Sequence, residues 1–115
     1  MQYMMLVYSN EKGWLQLTPE QQKQGMAAYM AYDEALRNAG VLLGSNRLRN
    51  TDAATTVKVT DGKTQVLNGP YVDTKEQLGG YFLIEAPDLD AAIAWAARCP
   101  GASHGAVEVR PLWAM

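Results

Sequence analysis

A single α+β domain, made of two β-α-β units on either side of a β-hairpin, is what this sequence predicts, and three observations predict it. Gln2–Tyr8 and Gly79–Ala86 are apolar on both alternating faces as far as Glu85, the mark of strands covered on both sides. Thr18-Pro19-Glu20-Gln21 starts a helix that Gly40 stops, and Asp88 starts another that Pro100-Gly101 stops. Asp61-Gly62, between two β-branched runs, is a strong hairpin turn.

The elements follow in order. The first strand is Gln2–Tyr8, and residues 9–17, with Gly13 and Trp14, are expected to be loop. In the first helix Thr18 caps, Pro19 suits the first position and Gln21 completes a capping box. Its 3.6-residue period puts Ala28, Tyr29, Tyr32, Ala35, Leu36 and Ala39 on one face and Lys23, Gln24, Glu34, Arg37 and Asn38 opposite. Val41–Leu48 reads as the second strand, Thr55–Val59 and Thr64–Leu67 as the hairpin, and Asn68-Gly69-Pro70 as a tight turn. Asp73 is expected to cap a short helical turn, with Glu76 three residues on. After the Gly79–Ala86 strand, the second helix carries Leu89, Ile93 and Ala96 as its buried stripe, with Trp95 and Cys99 near its edge, and Ala106–Leu112 is the last strand. This order is the ferredoxin-like βαββαβ pattern with a hairpin insertion. Its two central strands are the two that lack a polar face. Helices cover one side of such a sheet, so a second copy is the expected cover for the other: a homodimer pairing sheet to sheet, a dimeric α/β barrel.

The chain has 115 residues, the size of one domain, and a formal net charge of -2. No basic excess exists to neutralise phosphates, and Arg47 and Arg49 are the nearest thing to a basic cluster, so direct nucleic-acid binding is not expected. One cysteine, Cys99, rules out an internal disulfide. The apolar run from Tyr3 to Tyr8 is too short for a membrane span and lacks the charged lead and cleavage site of a signal peptide, so a cytoplasmic protein is expected.

Three segments carry a family likeness: Gly69-Pro70-Tyr71, Thr74-Lys75-Glu76-Gln77-Leu78-Gly79-Gly80-Tyr81, and His104-Gly105-Ala106-Val107-Glu108-Val109-Arg110-Pro111. With the Ala39-Gly40-Val41-Leu42 helix exit and Arg98-Cys99-Pro100-Gly101, the chain resembles the YCII-related family over essentially its whole length, and within it the DGPF subgroup. The eponymous motif reads Asn68-Gly69-Pro70-Tyr71 here, an amide replacing the acid. The resemblance implies a dimeric α/β-barrel-like fold, small cytoplasmic bacterial proteins, no agreed activity, and an association with transcription through neighbouring sigma-factor genes. The broader family includes a dehydrochlorinase with a proposed His and Asp catalytic pair. Counted back from Gly40, the family His position falls near Tyr29, and the first helix holds no His, so that pair is broken here.

Several residues bear chemistry, each open to two readings. Asp33 is either a pocket carboxylate acting as a base or the i,i+4 ion-pair partner of Arg37. His104, the only histidine, is either a general acid or base near Asp33 or Glu108, or a solvated loop residue beside Gly105. One His and one Cys make no metal-ligand cluster, so no metal is expected. Asp73, Lys75 and Glu76 are either a polar rim, with Lys75 meeting an anionic substrate, or caps and solvated charges of a short helix. Gly44-Ser45 and Gly79-Gly80 thin the sheet surface and mark a bulge or a close approach. Tyr8, Tyr81, Trp14, Arg47 and Arg110 then line either a ligand pocket or a dimer interface. Neither glycine pair forms a phosphate-binding fingerprint, and no cofactor is expected. Three functions follow: a cofactor-independent enzyme on a small polar or anionic metabolite, with Asp33 or His104 moving protons and Arg47 and Lys75 holding substrate; a non-catalytic ligand-binding or regulatory module; or an interaction protein without a small ligand.

Overall fold

A computed structural model describes residues 1–114. In chain order the elements are β1 (Gln2–Ser9), α1 (Glu11–Leu15), α2 (Pro19–Asn38), β2 (Leu42–Arg47), β3 (Thr55–Thr60), β4 (Lys63–Asn68), β5 (Gln77–Glu85), α3 (Leu89–Arg98) and β6 (Ala106–Pro111), with short 3-10 turns at Thr51–Ala53 and Pro100–Ser103. Four strands form one antiparallel sheet in the order β2-β5-β1-β6. The two double-apolar strands are its centre, and each helix crosses between parallel strands that are next-but-one neighbours. This is the ferredoxin-like α+β architecture.

α2 begins as its residues dictate. Thr18 accepts from the Gln21 backbone, the Gln21 side chain accepts from the Thr18 backbone, and Pro19 fills the first turn. Gly40 follows the helix at φ +73°, a conformation that disfavours a Cβ. Asp88 caps α3 by accepting from the Ala91 amide.

α2 and α3 pack on one face of the sheet. Tyr3, Met5 and Val7 of β1 and Phe82 and Ile84 of β5 meet Tyr32 and Leu36 of α2 and Ala92, Ala96 and Cys99 at α3. The Tyr32 and Phe82 rings meet edge to face with centroids 5.2 Å apart, and the Tyr32 hydroxyl donates to the Trp95 carbonyl at 2.7 Å. Burial raises the Tyr32 phenol well above its ordinary value. The opposite face, with Met4, Leu6, Tyr8, Tyr81 and Leu83, is half-buried, and neither helix lies on it. The dimensions of 47 × 44 × 19 Å are those of one sheet and one helix layer. The radius of gyration of 16.1 Å exceeds the roughly 13 Å of a compact chain this long, because the β3-β4 hairpin stands away from the body with nearly every residue exposed. Among the described residues no helix is long and apolar enough to cross a membrane.

Three local expectations are corrected. Residues 9–17 are not all loop: Asn10 accepts from the Lys12 and Gly13 amides and starts the five-residue α1. Asp73 caps no helical turn. Thr74 donates from its hydroxyl to the Glu76 carbonyl, Gln77 donates from its side chain to the Thr74 carbonyl, and extended β5 starts at once. The buried stripe of α3 is Ala92, Ala96 and Cys99, while Leu89 and Ile93 are about half exposed at 48% and 49%. Small alanines let α3 lie close to the sheet, and that turns its larger side chains outward.

Candidate functional site

Two register irregularities shape the site. Leu42 faces Ile84, but Gly44 faces Leu83, so Leu43 is an extra residue in β2. Residues directly opposite in an antiparallel pair share a face. Leu42 and Ser45 therefore both point to the helix side, since Ser45 pairs with Phe82, and the bulge also turns Arg47 that way. The second irregularity leaves Gly79 extra in β5, between Leu78 opposite Tyr8 and Gly80 opposite Val7. Gly80 also permits close approach: a Cβ there would stand 2.7 Å from the Asn46 carbonyl oxygen of β2.

Between this end of the sheet and the α1-α2 pair lies a cleft of about 630 Å³, within the usual range for small-molecule pockets. β2 supplies Ser45, Asn46 and Arg47; α2 supplies Met26, Tyr29, Met30, Asp33 and Glu34; α1 supplies Glu11 and Trp14. β1 and β5 form the floor through Val7, Gly79, Gly80 and Phe82. A shallower groove along residues 47–53 shares Arg47 through Asn50.

Asp33 is held from two sides. The Arg37 Nε donates to its Oδ2 at 2.6 Å, and the Ser45 hydroxyl donates to its Oδ1 at 3.2 Å. Asp33 therefore makes the i,i+4 ion pair and also borders the cleft. Tyr29 stands one turn earlier on α2, its phenol beside the Cys99 thiol. Burial, with the nearby Cys99, raises that phenol to about 12, offset in part by Arg47. Burial likewise raises the Cys99 thiol. At neutral pH Tyr29 is therefore a hydrogen-bond donor and not a base.

Trp14 and Arg47 form the far wall. The guanidinium carbon of Arg47 lies 5.2 Å from the Trp14 ring centroid, and Nη1 sits 3.3 Å from the Met26 sulfur. Gly25, inside α2, makes room for the indole: a Cβ there would stand 2.8 Å from Cζ3 and 3.1 Å from Cη2 of Trp14. A glycine inside a helix costs about 1 kcal/mol relative to alanine, so this accommodation opposes helix stability. Gln22 donates to the Trp14 carbonyl at 3.0 Å and fixes the backbone of α1 on α2. Glu11 accepts from the Thr51 amide at 2.6 Å and the Thr51 hydroxyl at 2.8 Å, tying α1 to the root of the hairpin.

Of the residues singled out from the sequence, Asp33, Ser45, Arg47 and Tyr81 border the cleft, as does Trp14. Tyr81 projects mainly to the opposite face, where its hydroxyl accepts from the Asn46 side chain at 2.9 Å. His104, Asp73, Lys75, Glu76 and Tyr8 do not line it. His104, Asp73 and Lys75 are exposed. Glu76 lies beside the His104-Gly105 segment, its Oε2 3.1 Å from where a Gly105 Cβ would be, and Tyr8 adjoins the same glycine through its carbonyl. The two motif segments thus meet at the outer edge of the sheet, away from Asp33. Tyr29, Glu11, Met26 and Met30 were not legible as cleft residues. Tyr29 carried a signal, since it occupies the position where a His was sought. Among the described residues no three His, Cys, Asp or Glu side chains are placed to hold a metal.

Comparison with known proteins matches residues 1–115 to the YCII-related domain. An uncharacterised protein of Rhizobium meliloti is 37% identical over 114 residues, covering 97% of this chain and 92% of the relative. Among solved structures, the 5-chloro-2-hydroxyhydroquinone dehydrochlorinase of Burkholderia phenoliruptrix, in complex with 2,5-dihydroxybenzoquinone, aligns with a TM-score of 0.57 at 16% identity, over 98% of this chain and 94% of the enzyme. At that identity the likeness concerns the fold. By the match over its full length and by its relative, this chain belongs to the YCII-related domain family.

Proposed function

We propose that this chain is a cofactor-independent enzyme acting on a small polar or anionic metabolite bound in the cleft between β2 and α2. The observation that carries the reading is the convergence of Asp33, Ser45, Tyr29 and Arg47 on one mostly apolar cleft of about 630 Å³. Asp33 accepts a proton from the bound molecule and returns it. Ser45 and Arg37 orient that carboxylate, the Tyr29 ring adds an aromatic wall while its phenol is turned to Cys99, and Arg47 attracts negative charge. The family's structural neighbour being a dehydrochlorinase of a small ring compound supports a small-molecule substrate.

The test is a thermal-shift screen against a metabolite library, followed by turnover assays on hits. A ligand at about a hundred times its dissociation constant stabilises the fold by roughly 2.7 kcal/mol, a shift of several degrees. Conversion of a hit by the wild type, lost in Asp33→Asn with binding retained, is the expected result. A second reading, a non-catalytic ligand-binding or regulatory module, is favoured by the occupation of both Asp33 oxygens. Binding without conversion selects it. We also propose that the half-buried apolar face of Met4, Leu6, Tyr8 and Leu83 pairs with a second copy, giving a homodimer.

A further inference from the structure

We infer that the cleft takes a small aromatic carboxylate, with Arg47 as the group that receives its carboxylate. This rests on the reading of the cleft as a small-molecule site and narrows the class of molecule. The charges bordering the cleft are unequally engaged. Of its acids, Glu11 has both oxygens taken by Thr51, Asp33 has both taken by Arg37 and Ser45, and Glu34 stands exposed at the rim with no ion-pair partner among the described residues. Its cations are Arg47 and Arg49. The ion pairs among the described residues are Met1–Glu85, Arg37–Asp33 and Arg110–Glu108, so neither cleft arginine has a carboxylate partner. The side-chain contacts of Arg47 are the Trp14 ring and the Met26 sulfur, and they leave most of its N–H donors for an acceptor from outside.

The platform under that guanidinium is built by the sequence. Gly25 interrupts a helix of good formers so that the indole can lie against α2, and Gln22 fixes the Trp14 carbonyl. A guanidinium stacked on an aromatic face keeps its in-plane N–H groups for bidentate capture of a planar carboxylate. The larger apolar side chains of the wall are mainly aromatic or thioether: Trp14, Tyr29, Phe82, Met26 and Met30. Met30 is 69% exposed and Met26 39%, apolar surface that flanks the cleft uncovered. A small inorganic anion would satisfy Arg47 and leave this surface wet, and a neutral ring would do the reverse. A ring bearing a carboxylate meets both.

The experiment is an NMR titration of the full chain with three probes: benzoate, its neutral isostere benzamide, and acetate, which has the charge without the ring. Benzoate is expected to bind about tenfold or more tightly than either of the others, with shifts at Ser45, Arg47 and Trp14. Arg47→Gln, at an exposed position, should abolish the preference for benzoate over benzamide, and Trp14→Leu should weaken it. Lys63→Gln, the same charge change at the hairpin tip, should preserve it. Equal affinity for benzoate and benzamide, or a preference that survives Arg47→Gln, overturns the inference. If library hits shift Tyr29 and Ser45 but are neutral or cationic, the ligand class falls and the cleft reading stands. If neither the probes nor any library member shifts those residues, both fall.

Discussion

Replacing Gly25 by alanine sets the helix against the indole that rests on it. On helix propensity alone Gly25→Ala is favourable by about 0.8–1.0 kcal/mol. The new Cβ would lie 2.8 Å and 3.1 Å from two carbons of the Trp14 ring, closer than carbon atoms pack. Those carbons are the far end of a half-exposed side chain on a five-residue helix, so the indole gives way before α2 does. Its displacement removes the stack with Arg47, worth about 0.5–1 kcal/mol at an exposed site. The two effects nearly cancel, and Gly25→Ala should leave unfolding free energy within about 0.5 kcal/mol of wild type. In a Trp14→Ala background the clash and the stack are both gone, and the same substitution should stabilise by about 1 kcal/mol. Urea unfolding of the four proteins, followed by far-UV circular dichroism, gives both numbers and their coupling. A loss of more than about 1.5 kcal/mol in the wild-type background, beyond what lost stacking supplies, refutes this account and shows Trp14 to be immovable. Equal effects in the two backgrounds refute it as well.

Leu36 is fully buried between α2 and the sheet, and Leu36→Ala should destabilise by about 2–5 kcal/mol in the same assay. Tyr29 titrates higher in the folded state, at about 12 against an ordinary 10.0, so the folded chain keeps its proton where the unfolded chain loses it. Its contribution is full below pH 10 and lost as pH rises through 12; Tyr29→Phe should flatten the decline in urea stability across that window. Leu6→Asp puts a charge at the centre of the open sheet face, so sedimentation velocity should show wild-type dimer and variant monomer with matching circular dichroism; a wild-type monomer sinks the pairing proposal.

Much of the fold was legible because its signals are local. The α2 capping box, the Asp88 cap, the Gly40 exit and the Asp61-Gly62 turn depend only on near neighbours and stand where the residues put them. The absence of a polar face in β1 and β5 pointed to the centre of the sheet, and both strands lie there. Gly79-Gly80 announced a bulge and a close approach, and both are present. α1 was missed because Gly13 and Trp14 hid the Asn10 cap. Leu89 and Ile93 were misplaced because a helix with alanines on one stripe and larger residues on another has two plausible inner faces, and only the distance to the sheet selects one.

By itself, then, the sequence determined most of the secondary elements and the strand order, which rest on local hydrogen bonding and on the period of apolar residues, and through its motif segments the family. The tertiary structure alone decided the site. Simple alternation in β2 would put Ser45 on the face opposite Leu42, and the extra Leu43 reverses that, bringing Ser45 to Asp33 and Arg47 to Trp14. It also separated Asp33 from the His104 and Lys75-Glu76 segments, whose residue types alone had made them natural partners. A one-residue shift in register leaves composition and pattern untouched while exchanging the two faces of a strand, so which side chains meet across the cleft was settled only when the strands paired.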